Sequence, residues 1–169
     1  LGAYWTHYEE GGEYLDAVIQ ATWLNIHVLP RRLDELRTDG FSLAASLEGG
    51  YPIEIDDDWR LGPQAQLIYQ TLSIDETADV AAKVRFRDMD SLAGRIGARL
   101  NNTGPELGWI RVNLWHEFTG RPKTEFSSED GFVAFEAELP RTWWEIDAGV
   151  SWHLDHNTTL FGAGRYNSS

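Results

Sequence analysis

Apolar and polar residues alternate along most of this chain, in runs separated by clusters of turn-forming residues. In the stretch 14–23, Leu15, Ala17, Ile19, Ala21 and Trp23 fall on one side of an extended backbone, while Asp16, Gln20 and Thr22 fall on the other. Successive side chains of a strand point to opposite faces, so a period of two predicts β-structure. Followed along the chain, the period predicts eight strands at 2–8, 13–25, 39–51, 59–73, 90–100, 107–119, 142–154 and 158–167. Most exceed the roughly five or six residues usual in soluble sheets and reach the roughly nine to eleven that a tilted membrane strand needs.

The connections alternate in length. Short turns are Glu9-Glu10-Gly11-Gly12, the stretch 52–58, Asn101-Asn102-Thr103-Gly104-Pro105 and Asp155-His156-Asn157; long loops are expected at about 26–38, 74–89 and 120–141. Residues of the short turns are those that favour tight reversals. Strict short-long alternation is the signature of an up-and-down barrel in an outer membrane, with tight turns at one rim and long loops at the other.

Charge is confined to one face. In the fourth strand Leu61, Ala65, Leu67 and Tyr69 oppose Arg60, Gln64, Gln66 and Gln70, and in the fifth Leu92, Ile96, Ala98 and Leu100 oppose Arg95 and Arg99. A soluble β-sandwich or ligand-binding β-barrel gives the same alternation with its apolar face inward. Here the polar face mixes Arg with Glu, Asp and Gln and has almost no Lys. That mixture suits side chains that satisfy one another across a lumen better than a freely solvated surface. The expected lumen lining is therefore Asp16, Gln20, Glu48, Gln64, Gln66, Arg95, Arg99, Arg111, Asn113, Glu117, Glu145 and Asp147. The expected lipid-facing set is Leu15, Ile19, Leu43, Leu47, Leu67, Ile96, Val112, Leu114, Ile146 and Val150.

Composition narrows the reading further. The 169 residues fit one all-β domain, 1–169. A formal net charge of -13 argues against nucleic acid, whose phosphates demand clustered Lys and Arg. Eight Trp, six Tyr and seven Phe occur, many near strand ends (Tyr4, Trp5, Trp59, Tyr69, Trp109, Phe118, Trp143, Trp144, Tyr166), as in the aromatic girdles of membrane barrels; aromatic cross-strand pairs in a soluble sheet are the competing account. No apolar run is long enough for a transmembrane helix. The chain opens at Leu1 inside a strand pattern, and the expectation is a piece of a longer precursor.

Six blocks then become recognisable: YLDAVIQ at 14–20, TDGFSLAASLEGGYP at 38–52, PQAQLIYQ at 63–70, GRIGARL at 94–100, NLWHEF at 113–118 and TWWEIDAGV at 142–150. In this order they resemble the translocator barrel of bacterial autotransporters, the type V secretion proteins. The resemblance implies an antiparallel transmembrane β-barrel of twelve strands, of which the eight visible here correspond to the fourth through eleventh. It implies residence in the outer membrane, a covalently linked passenger upstream that crosses to the cell surface, and assembly by the outer-membrane insertion machinery. No cofactor follows from it, and the domain is not expected to be an enzyme.

Candidate chemistry is sparse. Glu54, Asp56, Asp57 and Asp58 lack the Gly and distal Glu of a calcium-binding loop and read as a solvated turn. His7, His27, His116, His153 and His156 show no paired spacing, and no G-x-S-x-G elbow occurs. An outer-membrane hydrolase assembled from several loops remains a separate reading, to be tested at His116 and Asp147. Glu48, Arg95, Arg111 and Glu117 are read first as ion-pairing lumen residues. The stretch 30–37 is read as a solvated loop, with a short helical turn as the alternative.

Overall fold

Each alternating run becomes a strand because a neighbour with the same period lies beside it. A computed structural model describes the chain except residues 29–35, 76, 79–82, 88, 103–106, 120–122, 129–130, 137–139, 156 and 169. Its strands are β1 (Gly2–Tyr8), β2 (Tyr14–Val28), β3 (Leu36–Gly50), β4 (Ile53–Glu54), β5 (Trp59–Ile74), β6 (Thr77–Ala78), β7 (Lys83–Arg87), β8 (Asp90–Asn102), β9 (Leu107–Glu117), β10 (Lys123–Ser128), β11 (Gly131–Glu136), β12 (Thr142–Asp155) and β13 (Thr158–Ser168). The described residues contain no helix.

The long strands pair antiparallel in chain order, β1-β2-β3-β5-β8-β9-β12-β13, with β4 added beside β5. This is the up-and-down arrangement that the turn lengths predicted. All eight expected strands are present, with β2 running on to Val28 and β3 starting at Leu36. The sheet is open, and β1 and β13 are its edges.

The long connections hold more than loops. β6, β7, β10 and β11 form a second, four-stranded sheet in which β7 from one connection pairs with β10 from the other, from Lys123↔Arg87 to Phe126↔Val84. Such long-range pairing leaves no local signature, which is why 74–89 and 120–141 read as loops. Of the loop expected at 30–37, residues 30–35 lie outside the described residues, and Leu36 and Arg37 belong to β3.

Burial is inverted relative to a soluble protein. Among the described residues no hydrophobic side chain is buried, whereas Arg95, Asn113, Glu145 and Asp147 are. Asn113 is 1% exposed and Ile96, on the opposite face of the same sheet, 63%. Polar side chains also meet across an intervening strand: Gln64 of β5 reaches Tyr14 of β2 at 2.7 Å, and Arg95 of β8 reaches Glu48 of β3 at 2.8 Å. Strands two apart lie about 9.6 Å from each other, so such meetings mark the concave side of a curved wall. The apolar residues occupy the convex side.

Register stacks the concave residues in rows. One runs Tyr14–Gly50–Gln64–Gly97–Asn113–Glu145–Asn167, and a second Asp16–Glu48–Gln66–Arg95–Trp115–Trp143. Three glycines make room for long neighbours. A Cβ on Gly50 would strike the ring of Tyr14, one on Gly97 the side chain of Asn113, and one on Gly149 the indole of Trp109 at 2.7 Å. Gly97→Ala is therefore expected to destabilise the protein by about 1–3 kcal/mol, as overpacking does elsewhere. Gly162→Ala, where nothing lies within 4 Å, is expected to be silent. Equilibrium unfolding of both variants in detergent checks the pair, and equal stability would remove the steric role of Gly97.

Candidate functional site

The concave wall gathers the residues that carry charge. Two networks organise it. In the first, the Tyr14 hydroxyl donates to Glu48 Oε1 at 2.7 Å and accepts from Gln64 Nε2 at 2.7 Å. Glu48 Oε2 lies 2.8 Å from Arg95 Nη2, and the Arg95 guanidinium stands over the Trp115 ring at 5.4 Å. Trp115 is stacked on Trp143, with centroids 5.8 Å apart and planes 4° from parallel. These contacts link six strands, from β2 to β12.

In the second network Arg111 donates from Nε and Nη2 to Asp147 Oδ2, at 3.0 and 2.8 Å. Arg165 Nε donates to Asp147 Oδ1 at 2.5 Å, and its Nη1 lies 3.5 Å from Glu145 Oε2. Asn113 Nδ2 donates to Glu145 Oε1 at 2.8 Å. Asp147 is 3% exposed, so its charge is tolerable only with both guanidiniums in place. Shared partners also lower the conformational entropy that each bond costs.

The remaining expected wall residues are less tightly held. Gln66 Nε2 donates to Ser46 Oγ at 2.9 Å. Glu117 accepts from Ser91 Oγ at 2.6 Å and from the Leu92 and Thr119 backbone N–H groups at 3.0 Å, so it anchors the chain where β9 ends. Arg99 lies over Trp109 at 4.7 Å. Asp16 is half-buried and Gln20 exposed.

On the convex face Leu15, Ile19, Leu47, Leu67, Ile96, Val112 and Leu114 are exposed. Leu43, Ile146 and Val150 share that face but are half-buried. The proposed aromatic girdle needs correction. Register puts Trp5, Tyr69, Trp144 and Tyr166 on the convex face, but Tyr4, Trp109 and Trp143 on the concave one. Proximity to a strand end had decided their placement, although counting in twos from Arg111 already puts Trp109 and Trp115 beside it. Trp115, Tyr14 and Arg165 are wall residues that the pattern reading passed over.

Chemistry other than packing has little support. Among the described residues no group of three His, Cys, Asp or Glu is placed to hold a metal ion. Asp56 Oδ1 instead accepts from the backbone N–H groups of Asp58 and Trp59 at 2.9 Å, closing the turn into β5. His116 is on the convex face, 2.7 Å from Thr142 Oγ1 and edge-on to Phe118, whereas Asp147 is on the concave face. The two cannot act as an acid-base pair.

A wall with this inverted burial matches known proteins along its length. Residues 1–165 fit the family model described as autotransporter beta-domain. The chain belongs to the autotransporter β-domain family. It is 33% identical to the adhesin BmaC autotransporter of Brucella suis biovar 1 (strain 1330), over 99% of this chain and 5% of that protein. It is 26% identical to the pertactin autotransporter of Bordetella bronchiseptica (strain ATCC BAA-588 / NCTC 13252 / RB50), over 98% of this chain and 19% of that protein. The chain thus spans a small part of the curated relatives that it matches.

Solved structures agree on the fold. The transport unit of the autotransporter AIDA-I from Escherichia coli superposes with a TM-score of 0.79 at 20% identity, over 99% of this chain and 58% of that one. The beta domain of the Bordetella autotransporter BrkA superposes with a TM-score of 0.57 at 21% identity, over 99% of this chain and 64% of that one. As an autotransporter β-domain the chain resides in the bacterial outer membrane. Within the wall, Asp147→Asn is expected to cost about 3 kcal/mol, since it leaves the partly buried Arg111 without its carboxylate. Glu54→Gln, which breaks the solvent-exposed 2.8 Å pair with Arg60, is expected to be silent. Denaturant unfolding in detergent measures both, and equal losses would show that burial of Asp147 does not govern its contribution.

Proposed function

We propose that this domain is the translocator of a longer autotransporter, anchoring an N-terminal passenger in the outer membrane and helping its export to the cell surface. The observation that carries the reading is the inverted sheet: charges satisfied on the concave face, bare apolar side chains on the convex one. In hydrocarbon each unpaired backbone group is costly, which favours a closed wall with hydrocarbon outside and polar space inside. On this reading the whole chain, 1–169, is one domain, and further strands pair with the open edges of β1 and β13.

The twelve polar positions from Asp16 to Asp147 then line the pore. The ten apolar positions from Leu15 to Val150 contact lipid. The partners are the linked passenger, outer-membrane lipid and the insertion machinery that recognises the folding barrel. The matched relatives are named as an adhesin and as pertactins.

Leu67, near the middle of β5, is 48% exposed on the convex face. Leu67→Arg in the full-length protein is expected to cost about 2–4 kcal/mol near the bilayer midplane. Gln70→Arg, at an exposed concave position opposite Ala44 and Ser91, is expected to be tolerated. Heat-modifiable migration of the outer-membrane fraction reports barrel insertion, and protease shaving of intact cells reports the passenger at the surface. Loss of both signals in Leu67→Arg alone supports the reading; a monomer stable without detergent sinks it.

A further inference from the structure

The convex face carries leucine, isoleucine and aromatic side chains over most of its area, but a trough of about 560 Å³ crosses it. Its floor is Gly49 of β3, Ala65 of β5 and Gly94 of β8. Leu47 and Leu67 stand along one side, Ile96 and Leu114 along the other, and Leu15 closes the end at β2. Gln66 and Arg95 touch it only from beneath, since their side chains lie on the concave face. The trough is one side chain wide: Gly94 sits between Leu92 and Ile96, its same-face neighbours two residues away.

Its other end is polar. His116 and Phe118 bound it there, and His116 Nδ1 lies 2.7 Å from Thr142 Oγ1, which leaves Nε2 as the open ring nitrogen among the described residues. When the Thr142 hydroxyl donates to Nδ1, Nε2 carries the proton and is a donor. Arg141, next to Thr142, is exposed, and its backbone oxygen accepts from the Glu117 N–H at 2.7 Å, which holds it at the end of β9. Register gives the direction. Gly49 pairs with Ala65, Ala65 with Ile96, and Gly94 with His116, so the trough runs from the short-turn end of β3 to the end of β9, where a long connection begins. In bacterial barrels the long loops lie outside the cell, so His116 and Arg141 stand at the outer leaflet. Three strand spacings and two residue steps separate Gly49 from His116, about 16 Å in all. Half of the bilayer's hydrocarbon core, the depth of one leaflet's chains, is about 15 Å.

We propose that this trough seats one acyl chain of an anionic outer-leaflet glycolipid of the lipid A type, with a headgroup phosphate at His116 and Arg141. The inference rests on the lipid-facing reading of the convex wall and is independent of export. Lipid around a barrel already lies in hydrocarbon, so the hydrophobic effect does not choose one molecule over the next. Two other terms do. A chain laid in the trough makes dispersion contacts on three sides where a lipid on the open wall makes them on one. Its phosphate accepts charge-assisted hydrogen bonds from the guanidinium, with the imidazole alongside. Other occupants fit poorly. A second barrel brings a convex wall of its own, which rides over the trough and leaves it empty. A helix, about 10–12 Å thick, does not enter a gap one side chain wide.

The test uses the full-length protein, purified from outer membranes in detergent, stripped of lipid, and then offered lipid A or phosphatidylglycerol before washing. Quantitative mass spectrometry counts the lipid retained. Ala65→Leu and Gly49→Leu fill the trough, and at Gly49 a Cβ meets only ordinary contacts, the nearest at 3.6 Å. His116→Gln combined with Arg141→Gln removes the headgroup contacts. Gly108→Leu, where nothing lies within 4 Å, adds the same bulk away from the trough. The parent and Gly108→Leu are expected to retain lipid A. The filled variants and the double variant are expected to migrate as heat-modifiable barrels and to retain about tenfold less, the effect of about 1.4 kcal/mol. Parental retention in both filled variants overturns the proposal, as does a parent that holds phosphatidylglycerol as well as lipid A. So does a parent that runs as a dimer which Ala65→Leu dissociates, because the trough would then be covered by protein. Should Ala65→Leu fail to insert, Gly49→Leu and the double variant decide on the same count. Unchanged retention with the passenger at the surface sinks this inference alone; trough-dependent retention with no passenger at the surface sinks the export reading alone.

Discussion

A strand that crosses hydrocarbon must hand every backbone N–H and C=O to a neighbour and must turn every second side chain toward lipid. The rest of this structure follows from that constraint. The antiparallel ladder from β1 to β13 meets the first demand except at its two edges, and strict alternation meets the second. With apolar residues sent outward, no oily core is left to hold the concave side. Hydrogen bonds and ion pairs take over that task, and the buried side chains are accordingly Arg95, Asn113, Glu145 and Asp147.

A polar interior of this kind is stable only when its members share partners. Asp147 serves two arginines, and Arg165 reaches two carboxylates. Arg95 is held by a carboxylate at one end and an indole face at the other. Each additional bond to a side chain already fixed costs less entropy than the first.

Much of this was legible in the residue order because period, turn chemistry and loop parity are local. The eight long strands, their order and the sidedness of Leu67 against Gln66 follow from them. Sidedness alone did not choose between lipid and a core; the Arg, Glu and Gln mixture and the six family blocks did. What stayed hidden was long-range or masked by a competing cue. The β7–β10 pairing joins residues some forty positions apart, so no window contains it. Trp109 and Trp143 were drawn to a lipid girdle by their place near strand ends, although parity puts them inside. Arg165 gained meaning only once β13 lay beside β12 and brought it to Asp147.

The three covered glycines have a consequence for how the strands find one another. A slip of one residue turns a whole strand inside out, and the hydrophobic pattern rejects it at once. A slip of two keeps every side chain on its proper face, and hydrophobicity is blind to it. Tyr14 would then lie over Glu48 in place of Gly50, Asn113 over Arg95 or Arg99 in place of Gly97, and Trp109 over Asp147 or Ser151 in place of Gly149. Each bulky side chain fits at one step of the ladder only. The glycines thus act as keyholes that let the sheet distinguish its true alignment from the near-miss that no oil-and-water pattern detects.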